Sequence, residues 1–359
     1  IPFMALDGIG SRNVLAKGNT QFSGEYLVEQ IKAENDRIVR RLYFMDNPFV
    51  IQSEVALQKK TKTTTTVESS TKEEEVVDKS FLAFGYHLRM AAGIASLTDS
   101  PRSGLLIGLG GGGLVNYLQH VLMDRIQLDI VELDPTMPTL AQEYFGFCST
   151  ENVRVHVGDG LLVRPREQET TTTTMTEQEQ QAEKDSSSEN LLYIAPVSSL
   201  DFIAIDVDSK DKTVGMSCPP RAFVEPLYLT ILRRMLRQED GVLVVNVSAR
   251  DPAMFEIVVE HMESVFETVL VSRHQDEDDA VNVVVFAFTA AATAVPPRAR
   301  LSKRLQSVLA PYLEANPTSS VLEDLKESMA TIQSQKANGD AKKLKKKGGN
   351  KKKKRGKRR

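Results

Sequence analysis

The stretch LLIGLGGGG, residues 105–113, decides the predicted fold of this chain. A short, mostly apolar run typical of a buried strand leads into a glycine loop, and an apolar-periodic segment up to Asp124 predicts a helix after it. Glycines at such a point let the backbone turn tightly and let a ligand approach the start of the helix without meeting a Cβ atom. A glycine run alone is weak evidence because ordinary loops also contain them, so the prediction depends on the neighbouring segments.

Strand-like runs and helix-like segments alternate after the glycine loop. Four further strand-like runs follow the first one, at Gln127–Asp134, Val153–Asp159, Asp201–Asp208 and Gly241–Ser248. Helix-compatible segments lie at about 135–145, 225–237 and 252–266. This alternation predicts a parallel sheet with right-handed crossovers.

Two final β-like runs, Thr268–Ser272 and Val281–Phe288, are separated only by an acidic turn and predict an antiparallel hairpin at the sheet edge. The predicted fold class is therefore α/β, with a doubly wound, mostly parallel, seven-stranded sheet.

Regions of low hydrophobicity divide the chain into predicted parts. Residues 26–57 have the pattern of a small antiparallel sheet, whereas two polar stretches lack any apolar face and cannot offset the entropy of ordering. In chain order, the predicted parts are an N-terminal β appendage at 1–58, a disordered insertion at 59–79, the main domain at 80–334 and a basic disordered tail at 335–359. Within the main domain, residues 165–190 are predicted to be a second disordered insertion. An apolar stripe at 319–332 predicts a helix docked on this domain.

The near-neutral charge of the chain conceals a strong segregation. Of 45 basic and 48 acidic residues, 14 basic and one acidic residue lie at 336–359, so the tail carries +13 and the remainder −16. The tail has no interleaved aromatic residues for base stacking, and a flexible solvated segment is its simplest interpretation. Its charge also suits non-specific contact with RNA or ribosomes, and it has the composition of a nuclear import signal.

Other compositional features exclude several classes of protein. Two cysteines cannot form a disulfide framework, so we expect a reducing compartment, the cytoplasm, with the nucleus as a second location. No apolar run approaches the length of a membrane span, and we expect no membrane association. The first residue is Ile1 rather than Met, from which we expect a fragment of a longer protein.

Candidate site residues follow the predicted strands, because ligands of open parallel sheets bind beyond the carboxyl ends of the strands. Glu132, 24 residues after Gly108, is placed to accept both hydroxyls of a ribose. Asp159, between two glycines, could accept from an adenine amino group. Asp206 and Asp208 follow the fourth run beside the presumed pocket, together with Asp211, which is more typical of an exposed loop.

A glycine loop with a downstream acid also fits a nicotinamide dehydrogenase, but no evident hydride-transfer His or Lys follows. The five histidines lack metal-ligand spacing and are interpreted as structural or surface residues, so no metal site is predicted. Cys148 and Cys218 have no recognisable base partner, which gives nucleophilic catalysis no support.

The segments LLIGLGGGG, VELDP, VGDG and DFIAIDVDSKD resemble the spermidine-synthase-like branch of S-adenosylmethionine-dependent methyltransferases. With SGEYLVEQ, RRLYFMDN, VIQSE, DKSF and GMSCPPRAFVE added, residues 1–330 are similar to the C-terminal half of the eukaryotic methyltransferases of elongation factor 1-alpha.

The resemblance implies S-adenosyl-L-methionine as the cofactor and assigns residues to it. Gly108 and Gly110 would meet its amino-acid end, Glu132 its ribose, and Asp159 with Gly160 its adenine. Gln52 would precede the cofactor loop, the pair Tyr86 and His87 would lie near the amine, and Asp206 or Asp208 would orient the substrate, with Asp206 on the methyl-donor side.

The implied function is methylation of the N-terminal α-amine of elongation factor 1-alpha. Two alternatives stay open, a polyamine aminopropyltransferase and an inactive cofactor-binding module of the translation apparatus. Aminopropyl transfer is disfavoured because spermidine synthases carry a compact D-S-x-D-P after the fourth strand, whereas residues 206–212 read DVDSKDK.

Overall fold

A computed structural model describes the parts of the chain on which the following statements rest. The described residues are 12–33, 36–62, 72–94, 103–122, 126–167, 191–209, 215–272, 282–290, 306, 308–311 and 313–314. The helix predicted at 319–332 and the basic tail predicted at 335–359 lie outside the described residues.

The N-terminal part of the chain forms a five-stranded antiparallel sheet whose strands are neighbours in chain order. Its strands are β1 (Asn13–Thr20), β2 (Gly24–Lys32), β3 (Ile38–Phe44), β4 (Ser53–Lys62) and β5 (Lys72–Val77). One face is apolar, with Val28, Leu42 and Val55 buried. Alternation of apolar and polar residues along each strand therefore gives this sheet one packed face.

The prediction of a disordered insertion at 59–79 is wrong for its two ends. Strand β4 continues to Lys62, and β5 pairs with it from Leu57 opposite Val77 to Lys62 opposite Lys72. Lys59 stands opposite Glu75 and Lys60 opposite Glu74, so cross-strand pairs of opposite charge replace the missing apolar face. The backbone N–H and C=O groups of β4 and β5 are paired with each other. The appendage therefore extends to Val77 instead of ending at residue 58.

Among the described residues, the main path of the large sheet has seven strands, as the sequence predicts, and one further short strand pairs beside it. Their spatial order is β14-β15-β13-β11-β6-β7-β8. The bounds are β6 (Ser103–Ile107), β7 (Gln127–Glu132), β8 (Val153–Val157), β11 (Phe202–Ile205), β13 (Val242–Ala249), β14 (Thr268–Ser272) and β15 (Val283–Phe288). Strands β8, β7, β6, β11 and β13 are parallel, and β15 is antiparallel to both β13 and β14. The predicted fold class and edge hairpin are confirmed.

Helices cover both faces of this sheet. They are α1 (Gly85–Ile94), α2 (Gly113–Leu122), α3 (Met137–Phe145), α4 (Pro226–Met235) and α5 (Pro252–Val265). Buried residues of α1 and α2 pack on one face, and those of α4 and α5 on the other. Helix α3 also contacts the appendage, because Met137, Leu140 and Phe145 form a core with the apolar face of the first sheet.

Three short strands were not predicted from the sequence. Strands β9 (Val163–Arg166) and β10 (Leu192–Pro196) form a parallel pair, and β12 (Met216–Cys218) pairs antiparallel with β13. The insertion predicted at 165–190 thus begins inside β9, and residues 168–190 lie outside the described part. Within the part of the chain that the structure describes, no helix has the length and apolarity needed to cross a bilayer.

Gly104 in the centre of the main sheet provides a test of the packing. A Cβ atom at this position would overlap the ring of Phe202, which stands opposite it on β11 and is fully buried. We expect Gly104→Ala to lower the free energy of unfolding by about 1–3 kcal/mol, measured by urea denaturation. Gly113→Ala is the matched control, since nothing lies within 4 Å of its added Cβ. Equal stability of the two variants would contradict the packing.

Candidate active site

The loop between β6 and α2 contains glycines that the local geometry requires. Gly108 and Gly110 have φ angles of 96° and 54°, in the left-handed region that side chains disfavour. A Cβ atom at Gly108 would also overlap the backbone oxygen of Asp206. From the other side, Ser53 Oγ in the appendage accepts a 2.8 Å hydrogen bond from the Gly111 amide. The loop is therefore held between the two sheets.

Glu132, at the end of β7, fixes this loop to the next one. Its Oε2 accepts from the Leu109 amide at 2.8 Å, and its Oε1 accepts from the Asp134 amide at 2.9 Å. Burial raises the pKa of Glu132 above its ordinary value, and the backbone hydrogen bonds oppose that shift. Glu132, which the sequence predicts to bind a ribose, thus also holds the glycine loop in place.

Asp159 and Gly160 lie together where the turn after β8 begins. Asp159 Oδ1 accepts from the Leu161 amide at 2.8 Å, which caps a short 3₁₀ turn. The carbonyl of Gly160 accepts a 2.6 Å hydrogen bond from the Tyr228 hydroxyl, whose pKa is raised by burial. Sequence reasoning missed Tyr228 because a tyrosine on a helix is usually a core residue.

Asp206 lies at the end of β11 with hydrogen bonds to both carboxylate oxygens. Asp206 Oδ2 is 2.9 Å from His87 Nε2, and Asp206 Oδ1 accepts from Asn246 Nδ2 at 2.9 Å. His87 is buried against Asp206, and both its structural interpretation and the role near the substrate amine that the resemblance implies stay predictions. Asn246 was missed, although a polar residue near the carboxyl end of the apolar run GVLVVNVS was an available signal.

The remaining predicted site residues are Asp208, Asp211 and Gln52. Asp208 is exposed, and Asp211 lies outside the described residues. Gln52 is half-buried, and its backbone amide donates to the Leu42 carbonyl at 2.8 Å, which fixes it on the appendage. Asp206 is consequently the better positioned of the two candidate acids.

Two adjacent cavities lie at the carboxyl ends of the parallel strands. The Glu132 cavity, of about 740 Å³, is lined by Glu132, Asp134, Met137, Asp159, Gly160 and Phe223, among others. The His87 cavity, of about 730 Å³, is lined by Tyr86, His87, Asn246, Ser248 and Arg250, among others. Both are also lined by Ser23, Phe44, Gln52, Gly108, Gly110, Asp206 and Asp208. The structure thus brings all the predicted site residues to one pair of cavities, and their individual roles stay predictions.

The described side chains offer no metal-binding group. Among the described residues there is no group of three or more His, Cys, Asp or Glu residues that could hold a metal ion. The site is composed of carboxylates, one imidazole, amides and a glycine loop.

The fold and the site together define a spermidine-synthase-like α/β protein. A probable spermidine synthase from Corynebacterium glutamicum aligns with 81% of this chain and 86% of its own at a TM-score of 0.50, and its 15% identity supports the fold alone. The chain is a homologue of the eEF1A lysine and N-terminal methyltransferases. It is 33% identical over 306 residues to the Xenopus laevis protein, a match of 80% of this chain and 40% of the relative.

These similarities cover only parts of the proteins compared. The chain spans about two fifths of the length of the curated methyltransferase relatives it matches. A polyamine aminopropyltransferase of Vibrio vulnificus is 38% identical over 73 residues, or 20% of this chain. No family model matches the chain.

Glu132→Gln tests the hydrogen bonds that hold the glycine loop. The amide group keeps one acceptor but turns an NH₂ toward the other backbone amide, so we expect a loss of about 1–3 kcal/mol in the free energy of unfolding. Thermal and urea unfolding measure this loss. Glu151→Gln, at an exposed position, is the matched control and should remain as stable as the unchanged chain. A Glu132→Gln chain of undiminished stability would exclude this role for the carboxylate.

Proposed function

We propose that this chain is an S-adenosylmethionine-dependent methyltransferase that modifies the N-terminal α-amine of elongation factor 1-alpha. The observation that carries the proposal is Asp206, whose carboxylate is held by His87 and Asn246 and lines both cavities. An acid at this junction can contact a substrate in one cavity beside a cofactor in the other. The homologues are named as methyltransferases, which supports the same reaction class.

The Glu132 cavity has the groups that an adenosyl cofactor needs. Glu132 and Asp159 supply carboxylates at the ends of neighbouring strands, for the ribose and the adenine respectively. Gly108 and Gly110 line this cavity with backbone and bring no side chain into it, which suits the amino-acid end. When bound, this cofactor would supply an electrophilic methyl group to an amine in the neighbouring cavity, with the sulfur as the leaving group.

The contribution of Asp206 is to bind and orient the amine. Donors on both of its oxygens restrict rotation of the carboxylate, so its remaining lone pairs have fixed directions. Methyl transfer depends mainly on positioning, which a fixed acceptor provides. The proton that the ammonium must lose passes to this carboxylate or to solvent.

The difference between an α-amine and a lysine favours the N-terminal substrate. An α-amine has a reference pKa of about 7.7–8.0 and lysine about 10.4, so deprotonating lysine near neutral pH costs roughly 3 kcal/mol more. An α-amine therefore needs less help from a base, which suits a site whose acid Asp206 is already engaged by His87 and Asn246. The homologues are named for both lysine and N-terminal methylation, and the difference in amine pKa favours the N-terminal site for this chain.

The aminopropyltransferase alternative has one specific observation in its favour. The short similarity to a polyamine aminopropyltransferase agrees with a site whose acids could also bind a cationic polyamine. Against it, DVDSKDK at 206–212 differs from the compact carboxylate motif of spermidine synthases. An inactive cofactor-binding module remains the third candidate.

One sequence of measurements separates these three functions. Calorimetry with S-adenosylmethionine tests cofactor binding, and mass spectrometry of elongation factor 1-alpha after incubation should then show added methyl groups on the N-terminal residue. A substrate with an acetylated N-terminus is the matched control and should stay unmodified. Cofactor binding without any methylated product would contradict the enzyme. Polyamine products formed with the decarboxylated cofactor would favour the alternative.

Asp206→Asn and Asp208→Asn form a matched pair that tests the orienting role. We expect Asp206→Asn to lower kcat by about a hundredfold or more, because the amide cannot provide the same charged acceptor. Asp208→Asn, at the exposed position, should lower kcat by less than about tenfold. Steady-state methylation assays measure both, with calorimetry to check that cofactor affinity is retained. Equal effects of the two substitutions would refute the assignment of Asp206.

A further inference from the structure

The turn between β1 and β2 brings an aromatic side chain to the Glu132 cavity. Phe22 lines this cavity, and 52% of its surface is exposed to solvent. Ser23, the next residue, lines both cavities. A large apolar side chain exposed at the wall of a binding cavity gains free energy when a ligand covers it.

The turn is held in place by a buried acid of the main domain. Asp134, 2% exposed, accepts from the Phe22 amide through Oδ2 at 3.1 Å and from the Thr136 amide through Oδ1 at 3.0 Å. Within the turn, the Ser23 amide donates to Thr20 Oγ1 at 2.9 Å. Asp134 thus connects the turn to the start of α3, and its own amide is held by Glu132.

The surroundings of Phe22 suit a flat ligand with apolar faces. Leu133, which is 46% exposed, lies between Glu132 and Asp134 and lines the same cavity, as do Met137 and Met254. The polar groups of the cavity include the carboxylates at the strand ends, which suit the edges of a nucleoside. An aromatic ring on the turn can cover a face of that nucleoside, where stacking and burial both contribute.

We propose that Phe22 is a ligand-contacting residue that covers the nucleoside in the Glu132 cavity, and that Asp134 is the positioning residue that holds it there. This inference rests on the proposed function for the identity of the ligand. It makes the appendage part of the cofactor site, so that nucleoside affinity depends on residues of both sheets.

Affinity for S-adenosylhomocysteine, measured by calorimetry on the full chain, tests the contact. Phe22→Ala should raise Kd by about tenfold, and Phe22→Leu should raise it less, because part of the apolar contact remains. Val14→Ala is the matched control, since Val14 is an exposed apolar residue of the same sheet that lines neither cavity. Thermal unfolding checks that each variant is folded.

Fluorescence gives a second, independent measurement because the chain contains no tryptophan. Phe22→Trp introduces a single indole, whose emission should change when S-adenosylhomocysteine is added. Val14→Trp should show no change. An unaltered emission at position 22, together with an unaltered Kd for Phe22→Ala, would overturn the inference.

A double-mutant cycle tests the positioning role of Asp134. If Asp134 acts through Phe22, Asp134→Asn raises Kd in the unchanged chain but has little further effect in the Phe22→Ala chain. Equal effects in both backgrounds would refute this role. Absence of S-adenosylhomocysteine binding by the unchanged chain would overturn the proposed cofactor and the inference with it, whereas binding that is insensitive to Phe22 overturns the inference alone.

Discussion

The carboxylate of Glu132 and its two backbone donors connect the elements on which the site depends. A buried carboxylate is costly unless hydrogen bonds compensate for lost water, and here the compensation comes from the amides of Leu109 and Asp134. These amides belong to the loops that follow two adjacent strands. One acid therefore fixes the distance between the glycine loop and the loop that carries Asp134, which sets the width of the Glu132 cavity.

The same set of hydrogen bonds extends into the appendage and explains why two sheets form one site. Asp134 donates its amide to Glu132 and accepts from the Phe22 amide through its carboxylate. From the opposite side, Ser53 Oγ accepts from the Gly111 amide. The apolar core between α3 and the first sheet holds these contacts in register. Displacement of the appendage would thus alter both cavities, because Ser23, Phe44 and Gln52 line each of them.

The parts of the fold that could be predicted are those in which local pattern and tertiary structure agree. Strand–helix alternation gave the main sheet, and the rule that ligands bind at the carboxyl ends of strands gave Glu132, Asp159 and Asp206. Strand β5 could not be predicted because its stability comes from a partner strand and not from an apolar face. Tyr228 interacts with a residue 68 positions away, and such a pair leaves no local signal. Asn246 stands out in its apolar run, but its partner Asp206, 40 positions away, could not be read from that run.

The structure also distinguishes two acids that are equivalent in the sequence. Asp206 and Asp208 follow the same strand two residues apart, yet only Asp206 has His87 and Asn246 as donors at 2.9 Å. Two fixed donors orient the carboxylate of Asp206 at the junction of the cavities, whereas Asp208 is exposed. Because the glycine at position 108 lets the backbone of Asp206 approach, the loop that would receive the cofactor also determines where this acid stands. The proposed cofactor site and the proposed substrate site therefore depend on the same short contact between the residues that follow β6 and β11.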